Sequence, residues 1–521
     1  MLHRIRARRG VLTLAMRPPL WAAALGGALS GLVNAAAFPG LGWWPLIIPG
    51  TALVLWSLIG RRVGGAFFVG LIAGFSFFGT HIFWLTVYLG PVPWLALAGL
   101  QSLFFAAGCV LIALAWRFIP QLWPGTLGRL LLLPLTLGGL WTAREALSST
   151  WPYGGFSWGR LAFSQSESPL GPLVAWIGVS GLTFVLATLS ALLLQALRES
   201  DIHVLRRVVA VVVALLVLVA VPAWPVSTSG SMTIAAVQGD SDAGLFAQRQ
   251  PGQTLQDHLA QTIPLVGQKV DLLVWPENST DVDPLRSAAS ARALDRITTE
   301  MDAPLVTGTI TEDAQGRLFN SLLLWKPGQG AVAQYDKIHP VPFAEYLPDR
   351  QFWYPLAPSL FDLVPRDYSI GTRPNVFDIN GTLAGVAICF DIVDDGLVRQ
   401  MIDDGAEILL APTNNADFGH TDESAQQLAI ARLRAMETSR SLVNISTVGT
   451  SAIIAPDGST RASLPVWTPG SMVETVPLST AITPAMAAGR FIEWAVSSLA
   501  LVALAFAIAR VRTRRRRGAR G

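Results

Sequence analysis

Charge is scarce in this chain. Of 521 residues only 14% are Asp, Glu, Lys or Arg, against 51% hydrophobic ones. Soluble proteins carry charge at about 25%, so an ordinary soluble chain is excluded. A disordered chain is excluded too, because it needs low hydrophobicity and high net charge. Lysine is scarcer still: Lys269, Lys326 and Lys337 stand against 35 arginines. Only two cysteines occur, Cys109 in a long apolar run and Cys389 in an acidic segment. Two thiols so placed do not pair, which excludes the disulfide framework usual in exported domains. A lone exported cysteine is then either a small buried side chain or a reactive thiol.

Long apolar runs are what the chain has instead. A spanning helix needs about 20 mostly apolar residues, and such runs fall near 19–37, 42–60, 64–87, 92–116, 130–148, 170–197, 206–224 and 489–510. Residues 1–224 therefore read as seven membrane helices, 225–487 as a water-exposed domain, and 488–521 as an eighth helix with an Arg-rich tail. The net charge of +3 conceals a segregation: residues 231–487 hold 30 acidic and 16 basic side chains, the rest 5 and 22. Basic residues mark alternate loops, at Arg4, Arg6, Arg8 and Arg9, at Arg61 and Arg62, at Arg117 and Arg129, and at Arg198, Arg206 and Arg207. The tail, with Arg510, Arg512, Arg514, Arg515, Arg516 and Arg517, continues the series. Positive residues flank membrane helices on the cytoplasmic side, so both termini are expected in the cytoplasm and the acidic domain on the outer face. An Arg-rich tail can also bind nucleic acid, but its place directly after an apolar run favours a membrane anchor and no nucleic-acid partner. The first run, ending in Asn34-Ala35-Ala36-Ala37, also fits a cleaved signal peptide.

The acidic domain alternates strand and helix. Apolar, β-branched runs lie at Thr233–Val237, Leu272–Trp275, Leu305–Thr309, Ser321–Trp325, Leu383–Cys389, Ile408–Ala411, Leu442–Thr447 and Ser451–Ala455. Helical periodicity falls at Leu255–Val266, Ala288–Met301 and Ser424–Ser439. This is an α/β pattern, and reacting groups in such sheets sit just beyond the carboxyl ends of strands. Three candidates stand there. Glu277, in Trp275-Pro276-Glu277, is either a strand-end acid facing water or a partly desolvated general base. Lys337, in Tyr335-Asp336-Lys337-Ile338-His339-Pro340, is a compact cation kept amid arginine bias. Cys389, followed by Phe390 and Asp391, sits where a strand exit exposes the sulfur and sets a backbone N–H beside a developing oxyanion.

Glu277, Lys337 and Cys389, separated by 60 and 52 positions, resemble the Glu-Lys-Cys triad of the nitrilase, or carbon–nitrogen hydrolase, superfamily. Asn414-Asn415 and the helix from Gln426 to Glu437 are similar to that superfamily's closing segment. Seven apolar runs before such a domain and one after it resemble the apolipoprotein N-acyltransferase family, as do Gly155-Phe156-Ser157-Trp158 and Pro342-Phe343-Ala344-Glu345-Tyr346. The resemblance implies an α-β-β-α sandwich in the bacterial cytoplasmic membrane. It implies that an acyl chain passes from a phospholipid, through a Cys389 thioester, to the α-amino group of a diacylglyceryl-cysteine on an apolipoprotein. No metal or other cofactor is implied. Glu277 would be the general base, Lys337 and the Phe390 N–H the oxyanion donors, and Glu345 a second acid shaping the pocket. Phe390 and Asp391 stand where many members carry Tyr and a longer acid; Asp391 would pair with Lys337 or orient a loop.

Physical logic agrees, because an enzyme whose two substrates are lipid-anchored must bring its nucleophile to the bilayer. Phe352-Trp353-Tyr354-Pro355-Leu356 and Ser359-Leu360-Phe361 either dip into the interface or simply cover the sheet. Arg144 and Glu145 are expected as an interfacial pair bracing the domain, since unpaired charge within hydrocarbon is costly. His339 and His420 lack metal-ligand spacing. Two other classes share these features: a membrane-anchored amidase or nitrilase-type hydrolase, and a transporter carrying a dead domain. The first uses the same triad with a different acceptor. Against the second, the membrane half shows no clear pair of the interrupted repeat helices of transport folds.

Overall fold

The computed structural model describes residues 17–241, 250–362 and 367–518; Arg4, Arg6, Arg8 and Arg9 lie outside them. Each of the eight apolar runs is helical: α1 (Leu20–Ala36), α2 (Ile47–Ser57), α3 (Val63–His81), α4 (Pro91–Leu122), α5 (Leu133–Ser148), α6 (Val174–Arg198), α7 (Val204–Ala220) and α8 (Phe491–Gly518). Four of these stretches are long and apolar enough to cross a membrane: Val63–His81, Pro91–Leu122, Gly171–Arg198 and Phe491–Arg517. Leu20–Ala36 and Trp44–Ser57 are shorter apolar helices. A π-helical turn, Gly128–Leu132, leads straight into α5 and lengthens it. Gly178, at φ +69°, kinks α6 near its start.

The bundle is stitched by buried polar groups. Arg144 and Glu145, expected as a bracing pair near the end of the fifth span, lie buried within the bundle. Glu145 accepts from Arg144, Trp141 Nε1, the Leu161 N–H and the Thr183 hydroxyl at 2.9–3.2 Å. The Arg144 guanidinium lies over Phe105 and Trp141. Desolvating a charge is costly unless its partners are supplied, and this pair joins α5, α6 and the loop between them because each demands the other.

Among the described residues the domain holds twelve strands: β1 (Gly230–Gln238), β2 (Leu272–Val274), β3 (Leu305–Glu312), β4 (Leu318–Lys326), β5 (Gly330–Asp336), β6 (Val376–Ile379), β7 (Thr382–Val386), β8 (Ile408–Thr413), β9 (Ser441–Ser446), β10 (Ser451–Ile454), β11 (Thr460–Leu464) and β12 (Gly470–Leu478). They form two six-stranded sheets, ordered β12-β1-β2-β3-β4-β5 and β11-β10-β9-β8-β7-β6. Ile234, Val274, Leu324, Val386, Leu410 and Val443 belong to the dry layer between the sheets. Outside the first sheet lie α9 (Gln253–Thr262) and α10 (Ala288–Met301), their apolar faces buried with Leu273, Trp275 and Leu305. Outside the second lie α11 (Asp395–Asp403) and α12 (Glu423–Thr438). Their inner residues, including Met401, Ile430 and Leu433, share one continuous core with the membrane bundle. The α-β-β-α sandwich therefore rests on the membrane half through its second helical layer. The eight strands read from sequence are present, although the run to Cys389 ends earlier, at Val386. The four that escaped notice, β5, β6, β11 and β12, are the four sheet edges. Edge strands are half solvated, so they lack a continuous apolar run.

Candidate functional site

Glu277 follows β2, whose end is carried outward by Trp275-Pro276. The neighbouring β3 passes so closely that a Cβ on Gly308 would lie 2.6 Å from Glu277 Cα and from the Pro276 carbonyl. Only glycine permits that approach. The Glu277 carboxylate is buried, 5% exposed. Asn320 Nδ2, on β4, donates to Glu277 Oε1 at 2.6 Å and to Glu345 Oε1 at 3.0 Å. The Asn414 N–H donates to Glu277 Oε2 at 2.8 Å.

Lys337 comes directly after β5, fixed by its own N–H donating to the Asn320 carbonyl at 2.8 Å. Its ammonium is 2% exposed and lies 2.8 Å from Glu345 Oε2. The Val341 N–H also donates to that oxygen, at 2.6 Å. Cys389 opens a single 3₁₀ turn, Cys389–Val393, at φ +51°. A non-glycine residue held there costs on the order of 1 kcal/mol or more and needs its surroundings to enforce it. The enforcement comes from Asp391, which accepts from the Ile388 N–H at 3.1 Å and from the Tyr335 hydroxyl at 2.8 Å. Asp391 therefore orients the Cys389 turn, while the ion pair of Lys337 is with Glu345.

Electrostatics gives each group a distinct state. Burial pushes Glu277 up to about 7, with Lys337 opposing, Glu345 adding, and the Asn320 and Asn414 hydrogen bonds restraining the rise. Burial alone would lower the Lys337 ammonium, but Glu345, then Glu277 and Cys389, hold it above its ordinary value. Burial, reinforced by the Glu277 charge, pushes the Cys389 thiol well up, against Lys337 and a hydrogen bond with Thr413. Burial likewise raises Asp391, to about 6. The site thus combines a neutral thiol, a carboxyl balanced near neutrality and a permanent cation. That set can remove a proton, form a covalent bond and hold a developing oxyanion.

The membrane half supplies a wall. The rings of Phe156 and Trp158 lie nearly parallel to that of Phe390, at 6.1 and 6.0 Å. Trp84 and Trp158 both donate from Nε1 to Gln426 Oε1 on α12, at 3.1 and 2.6 Å. Phe390, expected for its N–H, also carries its ring into this aromatic stack. A second apolar group gathers at Phe343, which packs against Tyr153, Trp353 and Phe361. Phe352 and Leu356 are exposed beside it.

The structure brings Glu277, Lys337, Glu345 and Cys389 together, and it adds residues that the sequence did not single out. Asn320 ties both carboxylates in place. Its signal was a polar side chain inside the apolar run Phe319–Trp325, where burial demands a partner. Glu423 begins α12 and is 2% exposed; its sequence position reads simply as an acid complementing a helix dipole. It lines a cavity of about 220 Å³ with Asn415, Val448, Gly449 and Trp467. Asn415 Nδ2 donates to Glu423 Oε2 at 2.7 Å and to Gln427 Oε1 at 2.8 Å. Among the described residues, no group of three or more His, Cys, Asp and Glu is placed to hold a metal.

Fold and sequence together define a carbon–nitrogen hydrolase domain seated on a helical membrane bundle. Residues 233–483 match the carbon–nitrogen hydrolase model, and residues 30–192 match the apolipoprotein N-acyltransferase N-terminal domain. The apolipoprotein N-acyltransferase of Mycolicibacterium smegmatis is 33% identical, aligned over 90% of this chain and 82% of that one. Its counterpart in Pseudomonas aeruginosa is 29% identical, over 94% and 96%. A solved amidase of Nesterenkonia sp. aligns over 49% of this chain and 94% of its own, with 19% identity and a TM-score of 0.37. The chain belongs to the apolipoprotein N-acyltransferase family, and it is a membrane acyltransferase.

Proposed function

We propose that the protein transfers a fatty acyl chain from a membrane phospholipid, through a thioester on Cys389, to the α-amino group of an N-terminal diacylglyceryl-cysteine on an apolipoprotein. The observation that carries this reading is the meeting of Glu277, Lys337 and Cys389 beside an aromatic wall contributed by the membrane half. Glu277 takes the Cys389 proton as sulfur attacks the phospholipid ester carbon. The oxyanion is met by the Lys337 ammonium and the Phe390 N–H, and the lysophospholipid oxygen leaves with the proton from Glu277. In the second half the acceptor amine attacks the thioester carbon, the C–N bond forms and the C–S bond breaks. Glu345 holds Lys337 and, through Asn320, the carboxylate of Glu277. A water-poor site keeps the thioester from hydrolysing, and the stacked Phe156, Trp158 and Phe390 supply apolar cover.

Both substrates are lipids at a membrane surface, which accounts for the bundle beneath the sandwich; a hydrolase of small amides gains nothing from it. The test is to incubate the purified protein with phospholipid and weigh the Cys389 peptide. A mass increase of one acyl chain, discharged on adding a diacylated lipopeptide to yield triacylated product, is expected. Release of ammonia from amides without lipopeptide acylation would instead make the protein a membrane-anchored amidase.

A further inference from the structure

The proposed reaction leaves one proton without a destination. An α-amino group titrates near about 8, so the acceptor arrives largely as an ammonium, which has no lone pair. One proton must leave before nitrogen attacks, and a second leaves as the C–N bond forms. Glu277 takes the second and returns it to the Cys389 sulfur. Lys337 is already a cation, and Glu345 is committed to Lys337 and the Val341 N–H. The first proton needs another base, near the thioester but separate from the triad.

Glu423 meets that need. Its carboxyl is buried in the wall of the 220 Å³ cavity bounded by Asn415, Thr421, Ser424, Val448, Gly449 and Trp467. It stands near enough to Glu277 and Cys389 for its charge to act on both. Among the described residues no Lys or Arg offsets it; its hydrogen bond is from neutral Asn415. A buried carboxylate without a cation is costly, and an incoming ammonium supplies the missing charge. The cavity is small and partly polar, unsuited to a fatty chain and suited to the amine end of a peptide.

We propose that this cavity receives the acceptor's α-ammonium and that Glu423 takes its first proton, leaving Glu277 free for the second. The assignment rests on the thioester mechanism above. Burial raises Glu423 to about 8, Asn415 restraining and Glu277 adding to the rise, which brings it level with an α-ammonium, where transfer between them is close to balanced. Below that value the carboxyl sheds its own proton to solvent as the ammonium enters. The pair then holds one shared proton, whose passage to Glu423 exposes the nitrogen lone pair. The titratable groups around it are Glu277 and Cys389 at the strand ends, Asp422 beside it in sequence, and His420 at the rim, stacked on Trp467.

The test uses the full-length enzyme and its Glu423→Gln variant, each loaded with acyl chain from phospholipid. Both should load, which also shows that the variant folds. At pH 7 transfer to a diacylated lipopeptide should fall about 10-fold in E423Q, the free fraction of an amine that titrates one unit higher, and recover as the pH approaches the range where the acceptor amine is free. Transfer to hydroxylamine, already uncharged at pH 7, should be unchanged. Glu423→Asp, which keeps the carboxylate, should retain most lipopeptide transfer at pH 7. Undiminished lipopeptide transfer in E423Q, equal loss with both nucleophiles, or failure of E423Q to load would each overturn the assignment. Failure of the wild-type protein to load at all would overturn the thioester mechanism itself, a result distinct from the other three.

Discussion

On the proposed mechanism, the Glu277 carboxyl decides the pH at which the site can act. Burial raises it to about 7, so it is protonated and useless as a base below that value and becomes competent as the pH climbs through it. The rate of Cys389 acylation should therefore rise with pH around neutrality and then level off, because Lys337 remains charged throughout. Asn320 tunes the midpoint. Its Nδ2 donates to the charged form of Glu277, and a hydrogen bond to the charged form favours that form. Asn320→Ala should move the acylation profile to higher pH and slow acylation at pH 7, read from single-turnover labelling across pH 5–9. A profile that stays in place would remove Asn320 from control of the base. Cys389→Ser should load about 100-fold more slowly or worse, since a hydroxyl is the weaker nucleophile under the same base. At this scale the triad was legible because its residues stand at strand ends in an uncommon combination. Asn320 offered only the weak signal of a polar side chain within an apolar run, and Glu423 offered none, because what marks it is proximity in space rather than any feature of its neighbours in sequence.

Helix α12 links the nucleophile loop to the membrane half. Arg434 on this helix is buried, 1% exposed, and its guanidinium donates to the Ile392 and Val393 carbonyls at 3.0 and 2.8 Å and to Glu437 and Asp395 at 2.6 Å. Asp395 in turn pairs with Arg160 from the loop before α6, and Arg160 donates to Ser180, whose hydroxyl donates to Glu493 on α8. Against the push of burial, Arg160 and Arg434 hold the Asp395 carboxyl well below the usual carboxylate range. Removing one member of a buried ion pair strands its partners and costs about 3–5 kcal/mol. Arg434→Met should therefore lower the temperature at which the detergent-solubilised protein aggregates and reduce Cys389 loading. Lost loading with unchanged thermal resistance would confine Arg434 to the site. The amphipathic period of α12 was readable in sequence, but the network was not, since Arg434 looks like any arginine on a helix until the carbonyls after Cys389 meet it. The edge strands β5, β6, β11 and β12 escaped for a related reason: pairing partners, not composition, create them.

Across the whole molecule, the two ends of the bundle differ in chemistry. The start of α6 meets the sandwich, where the Val179 N–H donates to Glu437 at 3.0 Å, and the next residue of α6, Ser180, donates to Glu493 at the start of α8. The opposite ends of the same helices carry Arg198 and the run Arg510 to Arg517, and there Arg515 donates to Gln121 at the end of α4. Arg129, paired with Glu199 and Asp201, lies at that end too. Of the loop charges that mark the parity in sequence, Arg129, Arg198 and the tail arginines thus lie at the bundle end opposite the sandwich. Helices of 17 residues such as α1 and α7 rise about 25 Å at 1.5 Å per residue, slightly under the roughly 30 Å of a hydrocarbon core. Local thinning and snorkelling side chains accommodate a mismatch of that size; α2, at 11 residues, is shorter still, and we propose eight crossings with the basic end in the cytoplasm, which protein fusions test. Alkaline phosphatase requires disulfides and matures only outside the cytoplasm. Fused after residue 124, between α4 and α5, it should be inactive; fused after residue 229, between α7 and β1, it should be active. Inverted activities would place Cys389 on the cytoplasmic face, and equal parity at the two sites would show that one of the shorter helices lies along the membrane rather than through it.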